Sequence, residues 1–438
     1  MNGKILQIAL PAIVTNITVP LLGLVDTAIV GHMGSAAYIG AIAVGSMIFN
    51  LVYWVFGFLR MGTSGMTAQA RGRRDLAEVT RLLARSAMVS LLVAGLLLML
   101  QWPLRELMLW FIGPTEEVRP LAVTYYNIVV WGAPAVLTLY GLSGWYIGMQ
   151  NTRLPMVISI MQNVVNIVAS LVLVYGFGLK VEGVAVGTVV AQYAGLAVAV
   201  GLLWHYYGKM LKRQQVRCRQ VQSASLTHRA GQGEWLSFFR INRDIFLRTL
   251  FLVAVNLYFT SAGARQGAVI LAVNTLLMQL YLLFSYIMDG FAYAGEALGG
   301  RYWGAQDMVA YRSVVRRLFG WGAGMVVLFT AVYVAGGMPF LRLLTDEPGV
   351  VEAARSYVAW AYVIPAAGVA AFIWDGIFIG TTLTRGMLLS SVVSAVVFFA
   401  GVVLLVPKAE NHGLWLSMVL YLVTRGVVQT IIYKMHNS

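Results

Sequence analysis

The sequence predicts an all-α polytopic membrane protein with twelve transmembrane helices in two like-oriented six-helix bundles. Of its 438 residues, 59% are hydrophobic and 11% are charged, a composition typical of integral membrane proteins. The motifs of the first half return in the second half about 232 residues later. We expect two such halves to be related by a pseudo-two-fold axis along the membrane normal.

Each half contains six apolar segments for crossing a hydrocarbon layer of roughly 30 Å, which requires about 20 helical residues. The segments of the first half are 5–30, 36–59, 86–111, 121–142, 154–178 and 184–207. The segments of the second half are 245–262, 267–298, 316–344, 350–380, 387–407 and 413–433. We therefore predict an N-terminal bundle at 1–208, a cytoplasmic basic linker at 209–244 and a C-terminal bundle at 245–438.

Two pairs of motifs carry the repeat. The sequence ARGRRD at 70–75 corresponds to YWGAQD at 302–307, and each copy closes a long apolar run. The segment 143–153 begins SGWYIG, and its counterpart 375–385 begins DGIFIG. Paired, like-oriented bundles recur in alternating-access transporters, where the substrate path lies between them. The architecture therefore predicts transport.

The net charge of +14 is distributed unevenly along the chain. The predicted inner loops carry most of the Lys and Arg residues, among them Arg71, Arg73, Arg74, Arg81, Arg85, the run Lys209 to Arg248, Arg301, Arg312, Arg316 and Arg317. The predicted outer loops carry Glu116, Glu117, Asp346, Glu347 and Glu410. This positive-inside bias predicts a multi-pass protein of the cytoplasmic (inner) membrane with both termini in the cytoplasm. It indicates contact with membrane lipids and argues against nucleic acid as a partner.

Four acidic residues fall inside the apolar segments: Asp26, Asp289, Glu296 and Asp375. A charge at the bilayer centre costs on the order of 3 kcal/mol on insertion scales, so each of them requires a reason. Asp26 is the most isolated and lies in the outer half of the first segment. We predict that it binds and releases protons. The alternative is a boundary residue in a local hydrogen bond.

The fifth and first segments supply possible partners for Asp26. Asn163, Asn166 and Ser170 follow i, i+3, i+7 spacing and therefore share one helical face. Such a stripe either forms a site or joins neighbouring helices. Pro11 and Pro20 each remove a helical hydrogen bond, so the first helix can bend before it reaches Asp26.

The second half has its own polar positions. Asp289, Tyr293 and Glu296 share one face of the eighth segment, and Asp375 lies deep in the tenth. We expect Glu296 to form a structural ion pair near Arg301. Asp375 is predicted to be functional. For Asp289 the sequence does not decide between a functional role and a structural one.

Together these features resemble the MATE family of multidrug and toxic-compound extrusion transporters. The strings LVDTAIVGHMG at 24–34 and DGFAYAGEA at 289–297 are similar to its DinF branch. The resemblance implies export of organic, often cationic, compounds in exchange for inward H+ or Na+. It also implies that Asp26 binds the coupling ion and that the first helix bends at Pro11.

The same resemblance assigns three further positions. Asn166 matches a family asparagine of the fifth helix, Thr188 matches a threonine of the sixth, and Asp375 resembles an acid of the tenth. This chain departs from the pattern at Ser170, where many relatives have aspartate, and at Asn256, where one branch has glutamate. A single carboxylate suffices for one proton, so proton coupling is favoured. Sodium held by Asp26, Asn166 and Thr188 is the alternative.

Other classes of function fit less well. A flippase for lipids or lipid-linked substrates, of the same broader superfamily, would be expected to have a strongly cationic cavity or extra helices. An enzyme is disfavoured because the five His residues are scattered and no Gly-x-Ser-x-Gly nucleophile motif occurs. We expect no cofactor and no resident metal, and we expect a monomer that handles small organic substrates.

Overall fold

The computed structural model describes residues 1–31, 35–222, 230–345 and 347–437. Within these ranges the side chains at 19–24, 27, 30, 31, 36, 215–222, 230–232 and 437 are not described. The predicted outer-loop residue Asp346, the side chain of Pro20 and the end of the 24–34 motif therefore lie outside the described part of the chain.

The described secondary structure is helical throughout. In the first half the helices are α1 (Asn2–Gly31), α2 (Ala36–Val55), α3 (Phe58–Gly72), α4 (Leu76–Met99), α5 (Gln101–Ile112), α6 (Val118–Val129), α7 (Ala133–Gly148), α8 (Arg153–Leu171) and α9 (Val181–Gln222). In the second half they are α10 (Ala230–Ala264), α11 (Ala268–Ala294), α12 (Gly300–Gly304), α13 (Met308–Leu344), α14 (Pro348–Gly380) and α15 (Thr384–Asn437). A 3-10 turn at Val130–Gly132 precedes α7, and π-helical segments occupy Val172–Gly176 and Gly295–Gly299.

The all-α membrane fold is confirmed. Within the described ranges, ten helices are long and apolar enough to cross a membrane. One of them, Thr384–His436, covers both predicted segments 387–407 and 413–433. Its helical course is interrupted at Glu410, whose φ of 46° and ψ of −123° are not helical. The chain is therefore a multi-pass membrane protein.

Two helices begin before the membrane segments predicted at 86–111 and 316–344, at Leu76 in α4 and at Met308 in α13. The side chains of Asp75 and Asp307 cap these helices by accepting hydrogen bonds from backbone N–H groups, at 2.9 and 3.0 Å. The arginines of these first turns were assigned to loops because they are charged, but the caps start the helices ahead of them.

The predicted linker at 209–244 is helical on both sides of the undescribed residues 223–229. Helix α9 continues to Gln222, and α10 begins at Ala230. Most of the described linker thus extends the neighbouring membrane helices.

The sequence repeat is also a repeat of backbone conformation. Three pairs of residues, each 232 positions apart, have positive φ: Arg74 and Gln306, Gln150 and Thr382, Gly178 and Glu410. These residues lie at or next to turns. A positive φ is rare for residues other than glycine, so its recurrence at the same offset is informative. The two halves therefore reverse direction with the same local geometry.

Glycines in the repeated motif allow close helix packing. A Cβ on Gly144 would overlap the carbonyl oxygen of Arg60, and a Cβ on Gly376 would overlap that of Ala292. Both the glycines and their partners are 232 residues apart. Small residues let membrane helices approach at this distance, so α7 packs on α3 as α14 packs on α11.

The described chain separates into two compact units. One consists of Met1–Ile13 and Ser237–Ser438, and the other of Val14–Leu236. Helices α1 and α10 each pass from one unit to the other. The predicted domain boundaries at 208 and 245 are not tested by this division and stay a prediction.

Candidate functional site

Asp26 is a buried carboxylate within the Val14–Leu236 unit. It lies on α1 with 6% of its surface exposed, and its Oδ1 atom has no hydrogen-bond partner among the side chains that the structure describes. It is close enough to Tyr125 on α6 for the two side chains to interact electrostatically. Because an unpaired charge is costly in such a place, Asp26 is suited to bind a proton or a cation.

Tyr125 interacts electrostatically with Asp26 and is hydrogen-bonded to one of the predicted polar residues, Thr188. Its hydroxyl group is hydrogen-bonded to Ser46 on α2 and to Thr188 on α9. Thr188 in turn accepts a hydrogen bond from the Asn166 side chain at 3.1 Å and donates one to the carbonyl of Val184 at 3.0 Å. Asn166 and Thr188 are thus hydrogen-bonded to each other, and Tyr125 interacts with Thr188 and, electrostatically, with Asp26.

Two further oxygen atoms near Thr188 have no hydrogen-bond partner among the described residues. The Oδ1 atom of Asn166 and the Oγ atom of Ser170 are fully buried on α8 and make no hydrogen bond. Ser170 packs against Gly187, the residue before Thr188, so closely that a Cβ at Gly187 would overlap it. Carboxylate, amide and hydroxyl oxygens of this kind suit a proton, a water molecule or a hard cation.

Asn163 makes a different contact from the rest of its stripe. Its Nδ2 atom donates to the backbone carbonyl of Thr18 on α1 at 3.0 Å. The hydroxyl groups of Thr18 and Ser159 are also hydrogen-bonded, at 3.0 Å. These bonds join α8 to the part of α1 between its two prolines, and α1 is helical through both Pro11 and Pro20.

Asp375 lies in a charged cluster of the other unit. Its Oδ2 atom accepts hydrogen bonds from Arg248 on α10 and from Arg425 on α15. Its Oδ1 atom accepts one from Gln429 at 2.7 Å. All four side chains are buried. Asp375 is therefore neutralised by two arginines, whereas the described surroundings of Asp26 include no cation bonded to it.

Asp289 belongs to the surroundings of the same cluster. It lies on α11 within electrostatic reach of Arg248 and of Tyr281. Glu296 is buried in the π-helical segment Gly295–Gly299. Asn256, the position that departs from the family pattern, donates to the carbonyl of Leu252 in its own helix at 2.9 Å.

Sequence reasoning missed several of these partners. Tyr125 and Ser46 carry no signal, because they are ordinary residues among 21 tyrosines and many serines. Arg248 was grouped with the inner basic residues, although it is buried on α10. Arg425 did have a signal, since it is a lone base inside a predicted membrane segment.

The sequence pattern of the MatE family matches residues 11–172 and 245–404, which make up most of the chain. The chain belongs to the MatE family. It is 36% identical over 430 residues to DNA damage-inducible protein F of Escherichia coli (strain K12), which covers 98% of this chain and 91% of that protein. The resemblance to MATE transporters and to the DinF branch is confirmed.

Other comparisons agree with this membership. The probable multidrug resistance protein NorM of Thermotoga maritima is 23% identical over 370 residues, covering 81% of this chain and 75% of that protein. A crystal structure of MATE in the bent conformation matches with a TM-score of 0.86 at 16% identity, covering 99% of this chain and 95% of the other. Such a structural likeness supports the fold alone, whereas family membership makes the chain a transport protein and not an enzyme.

The MatE pattern divides the two clusters unevenly. Its first matched stretch contains Asp26, Asn166 and Ser170 but ends before Thr188. Its second stretch contains Asp375 but ends before Arg425. Of the two arginines that contact Asp375, Arg248 lies inside the matched stretch and Arg425 lies outside it.

Within the described ranges, no group of three or more His, Cys, Asp or Glu side chains is placed to hold a metal ion.

Proposed function

We propose that this MatE-family chain is an ion-coupled antiporter that exports organic compounds by alternating access. The observation that carries the proposal is the buried Asp26, whose Oδ1 atom has no hydrogen-bond partner among the described residues. Tyr125 lies within electrostatic reach of Asp26 and interacts with Thr188, which is hydrogen-bonded to Asn166. The relative from Thermotoga maritima is named a probable multidrug resistance protein, which supports drug-like organic compounds as substrates. Among these we propose cationic or amphipathic compounds.

In the proposed cycle, the outward-facing protein binds a proton at Asp26. Helix α1 repacks near Pro11 and Pro20, and the substrate leaves. Release of the proton on the inner side restores the affinity for substrate. Coupling requires only that proton and substrate stabilise different conformations or compete for one carboxylate.

The proton is the favoured coupling ion because Ser170 supplies a hydroxyl group where many relatives supply a second carboxylate. One carboxylate binds one proton, whereas sodium prefers several oxygen ligands. Asp26, Asn166 and Thr188 remain the ligands of the sodium alternative.

The proposal includes twelve membrane crossings in two bundles, at 1–208 and 245–438, related by a pseudo-two-fold axis. The long helix α1 and the interruption of α15 at Glu410 support two crossings beyond the ten apolar spans. The positive-inside bias supports cytoplasmic termini in the inner membrane. We further propose that the transporter works as a monomer.

A second candidate, transport of anionic or lipid-linked substrates, is favoured by one observation. Arg248 and Arg425 are both buried in the membrane region, and both bond to the same carboxylate, that of Asp375. Sequence reasoning had counted few basic residues within the segments. In this reading Asp375 and Asp289 balance arginines that contact an acidic substrate group.

Reconstituted protein tests these alternatives. Transport of a fluorescent organic cation and of a fluorescent organic anion is measured under a proton gradient and, separately, under a sodium gradient. We expect proton-driven cation transport that is lost in Asp26→Asn. Anion transport that depends on Arg425 would favour the second candidate, and the absence of transport under either gradient would contradict the antiporter.

A further inference from the structure

An ion network with a buried arginine at its centre and partly exposed partners lies at the start of α10. Arg85 on α4 is 7% exposed and donates to Glu78 at 3.2 Å and to Glu234 of α10. Its guanidinium group also lies over the ring of Trp235, 5.4 Å from the centroid. Charge-assisted hydrogen bonds with a cation–π contact make this one of the stronger kinds of polar attachment.

Arg81 completes the network. It contacts Glu78 at 2.8 Å and Glu234 at 3.5 Å, so two arginines face two glutamates. All of these residues belong to the Val14–Leu236 unit, although α10 continues beyond Leu236 into the other unit. The start of the second half's first helix is therefore attached to the first half.

The repeat places a related contact at the start of α1. Arg317 and Asn2 are 232 residues from Arg85 and Glu234, respectively. Arg317 donates to the Asn2 side chain at 3.0 Å, and nearby Lys4 donates to the Tyr302 hydroxyl at 3.3 Å. These residues belong to the unit of Met1–Ile13 and Ser237–Ser438. The first helix of the first half thus begins on the second half.

The two attachments differ in strength. Glu234 gives a buried arginine a carboxylate, whereas Asn2 gives the exposed Arg317 a neutral amide. Ion-paired hydrogen bonds shielded from water hold more firmly than exposed neutral ones. The polar attachment at the start of α10 is therefore stronger than the one at the start of α1, the helix that carries Pro11 and Asp26.

We propose that Arg85 and Arg317 are positioning residues for the transport cycle. Arg85 fixes the start of α10 throughout the cycle, and the weak Arg317–Asn2 contact lets the start of α1 detach when α1 repacks. The proposal rests on the alternating-access function proposed above. It predicts a difference in mobility between two equivalent helices and assigns that difference to one side chain, glutamate against asparagine.

The test strengthens the weak contact. Asn2→Asp gives Arg317 a carboxylate at an exposed site, where an ion pair of about 0.5–1 kcal/mol corresponds to a two- to fivefold effect. We expect kcat of reconstituted transport to fall by about that factor with KM unchanged. Adding Arg317→Gln to the same protein should restore kcat. Asn2→Gln, which keeps a neutral amide, is the matched control.

Hydrogen exchange measured by mass spectrometry tests the attachments without transport. Asn2→Asp should slow exchange over residues 2–13, and Glu234→Gln should speed it over 233–243. Unchanged exchange in both variants, or a kcat loss that Arg317→Gln does not restore, would overturn the proposal. If wild-type protein moves no substrate under either gradient, the antiporter proposal fails, and the exchange data still decide whether the arginines hold these helix starts.

Discussion

Asp26 and Asp375 are both carboxylates in apolar helices, yet their surroundings are opposite. Asp375 accepts hydrogen bonds from two arginines and a glutamine. Asp26 has an oxygen without a partner among the described residues, and Tyr125, which carries a hydroxyl group, lies within electrostatic reach of it. Of the two residues, Asp26 is the better suited to exchange a proton during transport.

Replacement of Asp26 by Asn should abolish proton-driven transport while leaving the fold intact, because the amide is similar in shape but cannot take up a proton. Transport driven by a pH gradient in liposomes measures the effect. Glu352→Gln, in an exposed pair with Arg355, is the control and should transport normally. Full proton-driven transport by the Asp26→Asn protein would refute the central role of Asp26.

Ser170→Asp should shift the coupling ion. A second carboxylate beside Asn166 and Thr188 supplies another hard oxygen ligand, which favours sodium. We expect sodium-driven transport to rise relative to proton-driven transport when both gradients are applied to the same liposome preparation. An unchanged ratio would mean that Ser170 does not contribute to ion choice.

At the scale of helices, close packing in the repeat depends on the absence of side chains. Gly376 faces the backbone carbonyl of Ala292, and neither backbone can move aside cheaply. Gly324, in α13, has no neighbouring atom within 4 Å of the position that a Cβ would occupy. Gly376 is therefore required for helix packing. At Gly324 only the low helix propensity of glycine matters.

We expect Gly376→Ala to lower the free energy of unfolding by about 1–3 kcal/mol through overpacking. Gly324→Ala should be neutral or stabilising by about 0.5–1 kcal/mol, because alanine favours the helix. Thermal unfolding of both variants in the same detergent measures the difference. Equal stability of the two variants would contradict the close packing of α14 on α11.

At the scale of the whole molecule, the Asp375 cluster joins helices that are far apart in sequence. Arg248 and Arg425 are 127 and 50 residues from Asp375, and each comes from a different helix. Removing the carboxylate would leave two buried cations facing each other. Such an uncompensated charge is far more costly than the loss of an exposed ion pair.

Asp375→Asn should therefore destabilise the protein by about 3–5 kcal/mol. Adding Arg425→Gln should recover part of that loss, since the excess positive charge is removed. Thermal unfolding of the single and double variants makes the comparison, with Glu352→Gln as the exposed-pair control. A single variant as stable as wild type would show that the arginines have another counter-charge.

The sequence by itself determined the membrane class, the two-fold repetition, the polar stripe of α8 and the isolation of Asp26. These features follow from hydrophobicity, helical spacing and a constant offset, all of which are local or periodic. Tertiary structure alone decided that Tyr125 lies within electrostatic reach of Asp26 and that Arg248 and Arg425 meet at Asp375. Tyr125 and Arg248 have no local pattern that reveals these roles, and Arg425 stands out only as a base in an apolar segment. The partners of all three residues are set when distant helices pack together.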